Sequence, residues 1–299
     1  MVCAYGAVYR RTMKRIFLFI ATNLLVILTI SILLRILGIG QYLTAQGIDY
    51  YQLGAFCLVW GMVGSLISLA LSRISAKMMM GIQVIDRSSP DAAWLYSMVE
   101  ELSRKAGLPV VPEVGIYQSP EVNAFATGPS KRRSLVAFST GLLNTMSRNE
   151  VEGVAAHEIA HISNGDMVTM TLLQGVINAF VMFFARVIAW AIAQNSRDEN
   201  RQTSSYMVTF LLEMVLGILG MLVVAAFSRY REFRADLGGA RYAGKQDMIA
   251  ALERLASHTK VYDKQASLAA FKISGGPGAW FSTHPPLAKR IEALRKAAV

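Results

Sequence analysis

His157-Glu158-Ile159-Ala160-His161, followed almost at once by the apolar run 167–193, decides how this sequence is read. On a helix, residues four apart share a face, so both imidazoles can reach one metal ion while Glu158 stands beside it. That is the local geometry of a zinc hydrolase. Five residues with two free positions also arise by chance, so the weight rests on their surroundings. Upstream, Ser147 and Glu150 form the pattern of a capping box, which would open the helix that carries the histidine pair.

The surroundings are apolar. Over 299 residues only 17% are charged, and the mean hydropathy is +0.39. The excess is gathered into four runs, 16–34, 53–71, 167–193 and 206–227, the third interrupted by Arg186 and the fourth by Glu213. A spanning helix takes roughly 20 apolar residues, and each run is about that long, so four transmembrane helices are expected. The first run is too long for a signal peptide and lacks a small-residue cleavage site, which predicts a retained helix.

Basic residues set the orientation. Arg10, Arg11, Lys14 and Arg15 precede the first run, and the loop 41–52 has no Lys or Arg. Arg73, Lys77 and Arg87 follow the second run, and Arg229, Arg231 and Arg234 follow the fourth. In the loop 194–205, Arg197 and Arg201 are offset by Asp198 and Glu199. Both termini, and everything outside two short outer loops, are therefore expected on the cytoplasmic side. The net charge of +10 is accounted for by basic clusters beside anionic lipid. No nucleic-acid partner is expected, because no recognised binding module is present. Cys3 falls in the tail expected on the cytoplasmic side and Cys57 within the second apolar run, so neither a disulfide nor a cysteine zinc site is expected.

The chain then divides into four parts: a tail with two membrane helices (1–71), a first catalytic part (72–166), a membrane hairpin (167–227) and a second catalytic part (228–299). In the first catalytic part, Trp94, Met98, Leu102 and Ala106 recur at helical spacing over 91–106, and Gly107-Leu108-Pro109 ends that helix. Segments 110–117 and 134–139 read as short strands separated by the Gly- and Ser-containing stretch 128–130. Helices are expected at 246–257 and 286–298, with a loop over 264–283. The fold class is α+β, predominantly helical, with a cytoplasmic zincin-like domain made discontinuous by the hairpin.

A hydrolytic zinc takes three protein ligands and keeps one position for water. His157 and His161 supply two, and Glu158 is placed to take the water proton. The third must come from elsewhere, since neither His258 nor His284 continues the motif. Glu232 lies in Arg229-Tyr-Arg-Glu-Phe-Arg-Ala-Asp236. One turn on, Asp236 can accept a hydrogen bond from a ligand imidazole. His258, near a helix end among charged residues, reads as structural or solvated.

The combination resembles the HtpX family of membrane-integrated zinc metalloproteases, in the gluzincin group that also contains the CAAX prenyl proteases. The resemblance covers the chain after about Arg11, on His157-Glu-Ile-Ala-His161 with Asn164-Gly-Asp166, Glu232-Phe-Arg-Ala-Asp236, Asn123-Ala-Phe-Ala-Thr-Gly128 and Thr283-His-Pro-Pro-Leu287. It implies one Zn2+, Glu232 as its third ligand and Glu158 as general base. It also implies that Asn123, Ala124, Phe125, Ala126, Thr127 and Gly128 lie along the cleft and pair with an extended peptide. His284 is the candidate oxyanion stabiliser, with Pro285 and Pro286 fixing its backbone direction. Bacterial quality control at the inner membrane, on damaged membrane proteins, is the role implied. A homo-oligomer, or association with other quality-control proteases, is left open.

Two further expectations concern the membrane. His161 and Glu232 both lie close in sequence to apolar runs, roughly 10 Å from the bilayer boundary at helical rise, which favours cytoplasmic loops and juxtamembrane segments of membrane proteins as substrates. Arg186 and Glu213 lie at similar distances from the outer loop and are expected to pair across the hairpin. A scaffold holding a structural zinc has no need of Glu158, and a transporter would be expected to show an inverted repeat.

Overall fold

The structure is a computed structural model that describes residues 24–26, 28–39, 43–44, 47–90, 92–194, 201–265 and 282–298. In chain order the elements are α1 (Leu24–Ile36), β1 (Leu43–Thr44), β2 (Gly47–Ile48), α2 (Tyr50–Met80), β3 (Gln83–Ile85), α3 (Ala93–Lys105), β4 (Glu113–Tyr117), β5 (Ala124–Ser130), β6 (Arg133–Ser139), α4 (Thr140–Thr145), α5 (Arg148–Asn164), α6 (Asp166–Gln194), α7 (Arg201–Ala243), α8 (Lys245–Gln265) and α9 (Leu287–Lys296). Most of the loop expected over 264–283, and the start of the first apolar run, lie outside the described residues. The chain folds into two compact units, one built on 70–168 with 225–299 and the other on 16–69 with 169–224.

The first unit holds a four-stranded sheet in the order β3-β4-β6-β5, with β4 and β6 parallel and the other pairs antiparallel. β5 is therefore an edge strand, and its register on β6 shifts between Thr127 and Ser130. Residues 128–130, read from sequence as a separator, belong to this strand. β4 starts at Glu113, later than expected, because Pro112 has no N–H to give to a ladder. One face of the sheet packs Val114, Val136 and Phe138 against Leu95, Val99 and Leu102 of α3 and against Val151, Ala155, Ile159 and Ile162 of α5.

α5 begins at the expected capping box: the Ser147 hydroxyl accepts from the Glu150 amide, and the Glu150 side chain accepts from the Ser147 amide. It ends at Gly165, whose φ of 73° is left-handed and suits glycine. Asp166 opens α6 immediately afterwards. On another side of α5, α7 comes very close. A Cβ on Gly238 would sit 2.7 Å from Ala160 Cβ, and one on Gly239 would sit 3.1 Å from the His157 amide nitrogen. The two glycines thus let α7 lie directly against the turn that carries the histidines. A second apolar cluster, of Ala240, Met248, Ile249, Leu252 and Leu294, joins the end of α7 to α8 and α9.

The second unit is helical apart from the short β1–β2 pair. α2, α6 and the stretch Ser205–Ala243 of α7 are each long and apolar enough to cross a membrane, yet only 17%, 17% and 6% of their most apolar windows are buried. Phe180, Leu211, Leu219 and Val223 face outward. An apolar surface of that extent is unfavourable in water and is what a bilayer requires. The described part of the first run, α1, is apolar but shorter than a span. α2 and α6 cross closely, since a Cβ on Gly61 would lie 2.5 Å from the Gly175 carbonyl oxygen. Between α6 and α7, Arg186 donates to Glu213 at 2.6 Å and to the Met182 carbonyl at 3.0 Å. Its guanidinium also lies 5.7 Å from the Phe56 ring centre. The pair expected across the hairpin is thus formed.

Candidate metal centre

His157 and His161 project from one face of α5, as i and i+4 residues must. Their Nε2 atoms lie 3.1 Å apart. Glu232, from α7, closes the group: its carboxylate oxygens are 3.3 Å from His161 Nε2 and 3.5 Å from His157 Nε2. Among the described residues these three side chains are a group able to hold a metal ion.

The fit can be tested on geometry and charge. Zinc bonds of roughly 2.0–2.1 Å to nitrogen and oxygen, arranged tetrahedrally, separate the donor atoms by about 3.3–3.4 Å, and the observed separations bracket that value. Glu232, Asp236 and Asp166 are all buried here, with Arg290 as the buried guanidinium among them. Burying more carboxylates than cations is unfavourable, and a divalent cation at the Nε2 atoms would correct the imbalance. Glu232 Oε2 is buried and receives no hydrogen bond of good angle, although His284 Nδ1 is 2.8 Å away. The residues fit a zinc ion.

Each histidine is oriented from behind. His157 Nδ1 lies 2.9 Å from Asp236 Oδ1, and His161 Nδ1 lies 2.7 Å from Asp166 Oδ2. Donating Nδ1–H to a carboxylate leaves the Nε2 lone pair facing the group's centre. Both carboxylates are held in turn by an arginine. Arg290 donates to Asp236 through Nε at 2.8 Å and Nη2 at 2.6 Å, while Arg234 Nη2 donates to Asp166 at 2.7 Å. Burial alone would lower the His157 pKa, but its bonds to Asp236 and Glu232 prevail and carry it up to about 9. His161 is shifted up by the same balance, with burial opposed by Asp166 and Glu232.

The group opens into a cleft. Glu158, His284 and Arg290 line it together with His157 and Glu232. Of the stretch 123–128, Asn123 and Ala124 line the cleft, while Phe125, Ala126, Thr127 and Gly128 continue along the edge strand. His258 is not brought into the group. The sequence alone assigns no role to two residues of this centre, Asp166 and Arg290. Asp166 follows the histidine pair directly. Arg290 interrupts the apolar stripe Leu287, Ile291 and Leu294 of α9, and a charge on the buried face of a short helix was the signal available.

The model of peptidase family M48 matches residues 89–298. The chain belongs to peptidase family M48. As a member of M48 it is a metalloprotease, and its outward-facing apolar helices make it a membrane protease. It is 53% identical over 292 residues to the protease HtpX homolog of Bacillus licheniformis, spanning 94% of this chain and 98% of that one. It is 52% identical over 293 residues to the Bacillus subtilis protease HtpX homolog, with the same coverage of each chain. With protease HtpX of Cellvibrio japonicus the identity is 48% over 292 residues, spanning 96% and 99%. The crystal structure of S. mikatae Ste24p superposes with a TM-score of 0.64 at 18% identity, spanning 95% of this chain and 64% of that one. The M48 chain thus shares that fold while spanning about two thirds of its length.

Proposed function

We propose that this M48 protein is a zinc endopeptidase of the bacterial inner membrane. In this reading it cuts cytoplasmic loops and juxtamembrane segments of misfolded membrane proteins. The observation that carries the reading is the convergence of His157, His161 and Glu232 donor atoms beside Glu158. The alternation of basic and uncharged segments supports four passes with both termini and the catalytic residues in the cytoplasm. Relatives named protease HtpX support the protease assignment, and the quality-control role is the one implied by the family resemblance.

When bound, zinc would supply Lewis acidity and a bound water whose pKa is near neutrality. His157, His161 and Glu232 would hold it, with Asp236 and Asp166 fixing the two rings. Glu158 takes a proton from the attacking water and returns it to the leaving amine. β5, with an unpaired edge, takes the substrate as an added strand from Asn123 to Gly128 and aligns its scissile carbonyl. His284 stands at the cleft with Nδ1 turned to Glu232. As an N–H donor at the cleft, it serves in this reading to stabilise the developing oxyanion.

The test is a comparison of the purified full chain with Glu158→Gln on a membrane substrate, with and without a chelator. The reading expects zinc at one per chain in both proteins and cleavage only by the unmodified, metal-loaded one. Equal cleavage by both would sink it.

A further inference from the structure

β5 and β6 are joined by the two-residue loop Lys131-Arg132, with Ser130 paired to Arg133 across it. Lys131, Arg132 and Arg133 are all exposed, and none of them makes an ion pair among the described residues. A loop of that length favours Asn-Gly or Asp-Gly, so turn chemistry does not ask for two cations. Nor do they guard the sheet edge, where lysine commonly discourages pairing. β5 itself, Ala124–Ser130, carries no charge, and the cations stand only at the tip.

The place of the tip is fixed within the first unit, which contains both the hairpin and the start of α6. The Lys131 stem lies against the α5–α6 junction, its Cε 3.9 Å from where a Cβ on Gly165 would sit. Gly165 comes just before the apolar run 167–193, short of it by a helical rise of about 3 Å. Polar headgroups cover the hydrocarbon to a depth of roughly 5–7 Å on each side. With α6 crossing the bilayer, the tip stands at headgroup height. Arg234, its side chain 46% exposed, reaches the same junction through the Asn164 carbonyl and Asp166.

We propose that Lys131, Arg132 and Arg133 form a docking site for the phosphate groups of anionic lipid, which holds the tip of the β5–β6 hairpin on the bilayer surface. The inference needs α6 to span a membrane and does not depend on which bonds the protein cuts. Charge and height together choose the occupant. Three adjacent cations without carboxylate partners repel one another, and lipid phosphates are the anions present at that level. The guanidinium groups can take two phosphate oxygens each and the ammonium group acts as a point charge. Near an anionic surface each such cation strengthens attachment about fivefold. The anchoring matters because β5 is an edge strand, held on one side only, and its register on β6 shifts between Thr127 and Ser130. Beyond that shift the hairpin has little to steady it but the pairing of Ser130 with Arg133. Lipid phosphate at the tip supplies a second fixed point, so the anionic lipid content of the membrane sets how firmly the edge of β5 is held.

The test places the full chain in nanodiscs of phosphatidylcholine alone, or with phosphatidylglycerol raised stepwise to about 30%, an ordinary anionic content. A dye on Ser130→Cys, with Cys3→Ser and Cys57→Ser in the same chain, reports the distance from the tip to acceptors on the lipid headgroups by energy transfer. Transfer is expected to rise with phosphatidylglycerol and to fall again when salt is added to about 0.5 M. Arg132→Gln is expected to move the midpoint of the titration to about fivefold more phosphatidylglycerol. The response is expected to vanish in the combined Lys131→Gln, Arg132→Gln, Arg133→Gln chain. Equal transfer in the two lipids would overturn the site, and so would a full response in the combined variant. A tip that ignores phosphatidylglycerol but responds to soluble polyglutamate would be a surface for acidic protein segments, which also overturns it. If the combined variant fails to fold, the lipid comparison with the three cations intact still decides the matter. No cleavage is measured, so the outcome stands apart from the endopeptidase reading.

Discussion

Arg290 grips Asp236 with two parallel hydrogen bonds, Nε to Oδ2 at 2.8 Å and Nη2 to Oδ1 at 2.6 Å. The fork is buried, with the Arg290 side chain 7% exposed and Asp236 2%. Removing one partner of a buried pair strands the other, at a cost of about 3–5 kcal/mol. Arg290→Met should therefore weaken zinc binding about 10–100-fold, as loss of an orienting contact does, and lower the melting temperature. Arg290→Lys should recover little, since an ammonium cannot make the fork. Competition with a chelator reads the affinity directly.

The matching arm at His161 should respond differently. Arg234 reaches Asp166 at a similar distance, but its side chain is 46% exposed and Asp166 only 2%. Water can replace much of what an exposed guanidinium provides, so Arg234→Ala should cost less than about 1 kcal/mol. Asp166→Ala removes the acceptor behind His161 and should weaken zinc as much as Arg290→Met does. Similar losses for Arg234→Ala and Asp166→Ala would refute this ranking.

Acidity should act on the metal-free protein through His157. Its pKa is carried from the ordinary 6.5 to about 9, burial opposing and the Asp236 and Glu232 contacts prevailing. The folded state thus keeps a proton that the unfolded chain releases. That contribution to stability is fully present below about 6.5 and is lost as pH rises through about 9. Zinc competes with this proton, so metal affinity should rise across the same window. Melting temperatures measured after chelation should fall from pH 6.5 to 9, and zinc-loaded protein should not show that fall. A flat profile without metal would count against the assignment.

The contact between α7 and α5 tolerates no added methyl. In Gly238→Ala the new Cβ would meet Ala160 Cβ at 2.7 Å, and overpacking of that kind costs about 1–3 kcal/mol. Displacing α7 also moves Glu232 and Asp236, so zinc content should fall with stability. Ala160→Gly in the same chain should restore both, and absence of rescue would show that the contact is not the cause.

In the helical unit, the Arg186–Glu213 pair predicts a reciprocal result. Arg186→Glu and Glu213→Arg should each lower stability in detergent, and the double exchange should recover most of the loss. Two independent losses that simply add would show that the charges do not fix the helix register.

The sequence was most legible where the chemistry is local. The capping box at Ser147, the histidine pair, the stop at Gly107 and the apolar runs are all written within a few consecutive residues. Legibility fell where partners are distant. Arg290 in Lys289-Arg290-Ile291-Glu292 looks like one more surface charge until Asp236, 54 residues away, is brought against it. β3 is three residues long, too short for alternation to register, and only its pairing with β4 defines it. The extent of β5 was obscured by Gly128 and Pro129, which read as a break but sit at its register shift.

α7 is one unbroken helix from Arg201 to Ala243, and Glu232 rides on its far portion. The ribosome therefore delivers His157, His161 and Glu158 well before the carboxylate that completes their group, with all of α6 and most of α7 translated in between. During synthesis the nascent chain holds a base and two imidazoles but an incomplete metal site. In the proposed reading, the newly made chain therefore gains its complete metal site only once this late stretch of α7 has been translated.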